Sequence, residues 1–109
     1  MKDDGLYLAH IRDCIGRIER YTSEGREPFL ADRKTQDAVM RNLQVMAEST
    51  QRLSENLKAH HPDIDWRGLA GFRNLLAHDY LGISETRVWE LVEQYLPQLK
   101  RAILLMAGE

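Results

Sequence analysis

Apolar residues recur along this chain at steps of three and four, the spacing that gathers side chains on one face of a helix. In the first stretch they are Tyr7, Ile11, Cys14 or Ile15, Ile18 and Tyr21, which predicts a helix from about Asp4 to Glu24. Gly25 is placed to end it, and Gly25-Arg-Glu-Pro28 reads as a loop. From Phe29 to His61 the periodicity continues through Val39, Met40, Leu43, Met46, Ala47, Thr50, Leu53 and Leu57, behind Asp32 as a suitable N-cap. That stretch predicts one helix of roughly seven or eight turns, about 40 Å long, the spine of a bundle. Pro62 marks the next boundary, and Asp63 or Asp65 can cap a third helix carrying Trp66, Leu69, Ala70, Phe72, Leu75 and Leu76, with Gly82 as its stop. The last helix opens on Ser84-Glu85 and continues through Val88, Trp89, Val92, Tyr95, Leu96, Leu99, Ile103 and Met106. Pro97 falls inside this pattern and predicts a kink or a break near Tyr95 to Leu96.

No strand-like alternation and no internal repeat interrupts these blocks. Four or five helices with short connections predict an all-α antiparallel bundle, and 109 residues suit a single domain spanning residues 1–109. A composition that is 43% hydrophobic and 29% charged is that of a folded globular chain. Fifteen Lys and Arg against seventeen Asp and Glu leave a net charge of −2, which argues against binding nucleic acid through overall positive charge. Any polyanion must be met locally. Cys14, the one cysteine, lies on the apolar stripe and is expected to be a small buried hydrophobe. No Cys/His spacing fits a structural zinc site, so neither metal nor cofactor is expected. The charged N-terminus and the lack of a run of ~18 apolar residues predict a chain that does not enter a membrane and works in the reducing cytoplasm.

The chemistry is concentrated in Arg73-Asn-Leu-Leu-Ala-His78-Asp79-Tyr80. Arginine presents a planar fork of donors suited to phosphate oxygens and holds its charge at any working pH. Histidine titrates near neutrality and can give or take a proton. Together they suit phosphodiester cleavage, in which a base removes the ribose 2′-hydroxyl proton and a cation stabilises charge on the five-coordinate phosphorus. On a straight helix at ~100° per residue, however, Arg73 and His78 point about 140° apart. Either the helix ends or distorts before Gly82, or the site is assembled from more than one copy of the motif across a dimer interface. An arginine and a histidine near a helix C-terminus also suit the capping of last-turn carbonyls.

The stretch from Pro62-Asp-Ile64-Asp-Trp66 through Phe72-Arg73-Asn74-Leu75-Leu76-Ala77-His78-Asp79-Tyr80 resembles the signature of the HepT-like toxins of the HEPN superfamily: Arg, four residues, His, one residue, Tyr. The segment Phe29 to Gln44 and the overall length resemble that family too, so the likeness covers nearly the whole chain. The resemblance implies a HEPN-type helical bundle that acts as a homodimer, a metal-independent RNA endonuclease and the toxin of a type VII toxin–antitoxin pair. It assigns Arg73 as the phosphate-stabilising cation, His78 as general acid or base, and Asn74 as a positioning residue. Tyr80 matches the tyrosine that the partner antitoxin, a minimal nucleotidyltransferase, modifies with AMP. Whether messenger or transfer RNA is cut does not carry over. Where relatives often show Ile-Gly-Glu-Ala, this chain has Val45-Met46-Ala47-Glu48-Ser49. Glu48 is therefore a candidate support for the site from the neighbouring helix, or an ordinary exposed carboxylate.

Three other features call for a reading. His60 and His61 suit the end of the long helix as caps, and His10 beside the apolar stripe is expected to be partly buried. Gly68 and Gly71 weaken a helix interior by up to ~1 kcal/mol each, which points to close helix approach, at a dimer seam for instance. The competing functional classes are a non-catalytic HEPN module that presents substrate to a nucleotidyltransferase, and a structural helical adaptor.

Overall fold

The computed structural model describes residues 3–79 and 82–108, without the side chain of Asp79. Every regular element among them is helical: α1 (Asp4–Tyr21), α2 (Arg26–Leu30), α3 (Arg33–Gln51), α4 (Glu55–Ala59), α5 (Trp66–Asp79) and α6 (Glu85–Met106). The expected all-α bundle is thus built of four long helices and two of about one turn.

Each departure from the sequence pattern has a local cause. The predicted loop at Gly25–Pro28 is instead the start of α2. Gly25 caps it with φ 100°, and Pro28 falls in the first turn, where a missing N–H costs nothing. Gln36 Nε2 then donates to the carbonyls of Phe29 and Leu30, both at 3.1 Å, closing the C-terminal end of α2. The predicted single long helix is divided at Ser54. Ser54 adopts an extended conformation and its Oγ accepts from Leu57 N. Its own N–H and hydroxyl donate to the Asp4 carboxylate at 2.8 and 2.6 Å, a bond across fifty residues of sequence that ties this break to the start of α1. His60 caps the short α4 rather than a long helix, with Nδ1 2.7 Å from the Asn56 carbonyl.

α6 runs unbroken through Pro97. Pro97 lies on the solvent side, as does Glu93 four residues before it, so the carbonyl left without a partner faces water, while Leu96 and Leu99 hold both flanks in the core. The core is the face predicted from periodicity: Ile11, Cys14, Ile15 and Ile18 of α1, Val39, Leu43 and Met46 of α3, Phe72 and Leu76 of α5, and Val88 to Met106 of α6. Burial pushes the Cys14 thiol above its ordinary pKa, against the lowering effect of Arg17. His10, expected to be partly buried, is exposed and makes an edge contact with Tyr7. α3 is the central element and packs against α1 on one side and α5 on the other.

Candidate active site

α5 carries the motif, and its start is fixed by four contacts. The Asp65 carboxylate accepts from Gly68 N at 2.9 Å, and its carbonyl from Leu69 N, which settles the choice between Asp63 and Asp65 as cap. Trp66 Nε1 donates to the His61 carbonyl at 2.9 Å, and the Lys58 ammonium lies 5.8 Å from the Trp66 ring centroid. Gly68 leaves room for the Asp65 cap. A Cβ on it would collide with the capping carboxylate of Asp65, whereas one on Gly71 would meet nothing within 4 Å. The expectation of close helix approach at Gly68 gives way to a cap that needs the space, and within one chain Gly71 makes no close approach. Further along, Phe72 and Leu76 turn into the core, with the Phe72 and Tyr95 rings stacked at 5.1 Å between α5 and α6.

Arg73 is turned toward α3. Its Nε donates to Glu48 Oε1 at 2.9 Å and its Nη1 to Asn74 Oδ1 at 3.2 Å, which leaves Nη2 without a partner among the described residues. The second oxygen of Glu48 lies 3.8 Å from Arg52 Nε. Glu48 therefore sits between two arginines, paired with Arg73 across α3 and α5 while still 43% exposed. Arg73 caps no last-turn carbonyl among the described residues: its Nε is bonded to Glu48 on α3 and its Nη1 to the side chain of Asn74. Between α3 and α5 a groove of about 320 Å³ is lined by Arg41, Gln44, Val45, Glu48, Arg73, Leu76 and Ala77.

His78 is on another face. α5 is continuous from Trp66 to Asp79, so the stretch from Arg73 to His78 neither ends nor distorts, and the two side chains project about 140° apart. Relative to the buried Leu76, His78 lies about 160° round the helix, and it is exposed with no hydrogen-bond partner among the described residues. One chain thus groups Arg73, Asn74 and Glu48 and leaves His78 apart from them. Tyr80 lies outside the described residues. Among the described residues no three His, Cys, Asp or Glu side chains stand together as a metal site would require, and no helix is long and apolar enough to cross a membrane. Pattern reading passed over Arg41 and Gln44 as site residues. The signal was present, since 41, 44 and 48 are spaced to share one face of α3.

A family model described as "Ribonuclease HepT-like" matches residues 11–106. Among curated proteins, a "Probable ribonuclease HepT" of Thermococcus cleftensis is 39% identical over 95 residues, covering 86% of each chain. A "Putative RNase" of Caldanaerobacter subterraneus subsp. tengcongensis is 30% identical, over 94% of this chain and 93% of its own. Another "Putative RNase", of Methanocaldococcus jannaschii, is 34% identical over 88% of this chain and 80% of its own. No solved structure matches the chain significantly.

Proposed function

This chain belongs to the HepT-like ribonuclease family, and from that premise we propose that it is the toxin of a type VII toxin–antitoxin pair, a metal-independent RNA endonuclease that acts as a homodimer. The observation that carries the reading is the separation of Arg73 from His78 on an unbroken α5. Both groups suit one phosphodiester, yet a single chain does not aim them at one atom. A second copy supplies what the first lacks, with the partner's Arg73 facing His78 across a shared cleft.

In that cleft His78 takes the proton from the ribose 2′-hydroxyl, and the 2′-oxygen attacks phosphorus. The bond from phosphorus to the 5′-oxygen breaks, the leaving oxygen takes a proton from water in the open cleft, and the products are a 2′,3′-cyclic phosphate and a 5′-hydroxyl. Arg73 stabilises the additional charge on the phosphoryl oxygens. Asn74, bonded to its Nη1, and Glu48, bonded to its Nε, hold the guanidinium in place. Tyr80, two residues beyond His78, is the site at which a minimal nucleotidyltransferase antitoxin adds AMP. Each adenylate brings a negative phosphate and a bulky base to a cleft that must admit RNA.

Mixing two inactive variants tests the composite site. Arg73→Ala and His78→Ala are each expected to lose cleavage, and an equimolar mixture allowed to exchange subunits is expected to recover part of it. A mixture as inactive as its components, after exchange has been verified, would overturn the two-chain site. Co-expression with the nucleotidyltransferase is expected to relieve growth arrest and to raise the mass of the peptide containing Tyr80 by adenylate increments. Relief without any such mass change would overturn the assignment of Tyr80.

A further inference from the structure

We propose that Arg41 on α3 grips the RNA backbone at a phosphate adjacent to the one addressed by Arg73, so that the groove between α3 and α5 is the track of the substrate strand. The inference rests on the ribonuclease reading above and adds a binding residue to it.

Arg41 shares with Arg20, Arg67 and Arg101 the lack of an ion pair among the described residues, and it alone of these lines the groove of Arg73. Arg26, Arg33, Arg87 and Arg52 each lie beside a carboxylate within four residues on their own helix. For Arg41 the corresponding carboxylate is Asp37, one turn earlier, and Asp37 is taken by Arg33 at 3.2 Å. The next acid along the same face is Glu48, seven residues on and about 10 Å up the helix. It is already engaged by Arg73 and Arg52. Arg41 is therefore exposed and without a partner among the described residues, in a chain whose acids outnumber its bases.

Its location gives that unspent charge a use. Arg41 lines the same groove as Arg73, whose Nη2 is also without a partner among the described residues. The groove lining carries two arginines, Arg41 and Arg73, against one carboxylate, Glu48, so its formal charge is positive although the net charge of the chain is −2. The wall between them is Val45, Leu76 and Ala77, with the Gln44 amide as a further neutral donor, and a low-dielectric wall strengthens the attraction of a guanidinium fork for phosphate. A strand whose scissile phosphate meets Arg73 and which follows the groove along α3 brings a neighbouring phosphate to Arg41.

The test uses the full-length protein and a fluorescent RNA of mixed sequence with 2′-O-methyl riboses, which binds but cannot be cleaved by 2′-hydroxyl attack. Arg41→Ala is expected to weaken binding about tenfold near 0.1 M salt, as for the loss of one charge-assisted contact. The slope of log affinity against log salt is expected to become shallower by about 0.7, the value for one phosphate of a single strand. Arg41→Lys should keep that slope, and Arg41→Glu should bind more weakly than Arg41→Ala. On cleavable RNA the Arg41→Ala loss should appear in KM and leave kcat nearly unchanged, with an unaltered unfolding midpoint. Unchanged affinity and slope in both the Ala and Glu variants, while Arg73→Ala weakens binding, would overturn the role of Arg41 and leave the ribonuclease reading standing. Intact RNA binding with weakened binding of the nucleotidyltransferase would likewise overturn it, because the groove would then serve an acidic protein segment. If Arg73→Ala and His78→Ala both cleave normally, the reading beneath the inference fails.

Discussion

Glu48→Gln separates a positioning role from a merely structural one. The pair it breaks is short, 2.9 Å between Arg73 Nε and Glu48 Oε1, but the side chains are 36% and 43% exposed. At that exposure water screens most of the attraction, so the gross Coulomb energy is about 1 kcal/mol and the net contribution to folding is about 0.5–1 kcal/mol. With an unfolding entropy of about 2.1 cal/mol/K per residue over 109 residues, the melting temperature should fall by about 2–4 °C. Catalysis should suffer more. Glutamine leaves Arg73 Nε only a neutral amide oxygen to donate to, so the guanidinium is held less firmly, and a displacement of about 1 Å at a reacting phosphate costs up to ~10²-fold in rate. The expected fall in kcat/KM is therefore about 10–100-fold, larger in free energy than the stability change. Arg52→Gln is the control, since it removes the weaker partner at 3.8 Å and leaves the bond to Arg73 in place. In an Arg73→Ala background Glu48→Gln should have no further effect on cleavage. Faster cleavage by Glu48→Gln would refute the reasoning, because it would mean that the carboxylate chiefly neutralises Arg73. An equal loss in the Arg73→Ala background would refute it too.

His78→Ala should lower cleavage by about 10²–10⁴-fold with a nearly unchanged unfolding midpoint, because the side chain is exposed and makes no hydrogen bond among the described residues; a parental rate would remove His78 from the mechanism. Gly68→Ala should change stability in urea titrations by less than about 1 kcal/mol, because the loss of the Asp65 cap offsets the roughly 1 kcal/mol that alanine gains over glycine in a helix. With Asp65→Ala already present the same change should stabilise. Because burial raises the Cys14 pKa, the unfolded thiol ionises first; the stability it contributes is full below about pH 8.5 and is lost as pH rises through the folded value. The difference in urea midpoint between the parent and Cys14→Ala should accordingly shrink across that range, and a constant difference would contradict the burial effect.

The long helices and their buried faces were legible because each apolar stripe is uninterrupted and amphipathic, as in Ile11, Cys14, Ile15 and Ile18. What escaped the pattern was decided by bonds that periodicity does not register. Ser54-Glu55 carries the same signature as Ser84-Glu85, which marks the start of α6 correctly, but Leu53 and Leu57 continue the stripe across it and hide the break. The break is sealed by Asp4, fifty residues away, and no local signal reports that bond. Pro97 does not break α6: the helix runs through it, with Pro97 and Glu93 both on the exposed side. The motif singled out Arg73, Asn74 and His78 as candidates, and the family likeness drew attention to Glu48. The pairing of Glu48 with Arg73 is a contact between helices, and Arg41 becomes conspicuous only once Asp37 and Glu48 are seen to be occupied elsewhere.

The alternative to a second copy is a rearrangement within one chain, and the energetics weigh against it. Swinging His78 through about 140° to meet Arg73 requires unwinding the turn between them. That turn holds Leu76, 1% exposed, and its loss would loosen the adjacent Phe72, 5% exposed. Exposing two such side chains costs about 1.5–3 kcal/mol each, and breaking three or four backbone hydrogen bonds adds about 0.5–1.5 kcal/mol apiece. The sum is comparable with the whole stability of a small domain, about 5–15 kcal/mol. Docking a second copy leaves α5 as it is. The rigidity that keeps Arg73 and His78 apart in one chain thus favours the proposed intermolecular site over a refolded one, and in that proposal cleavage depends on assembly.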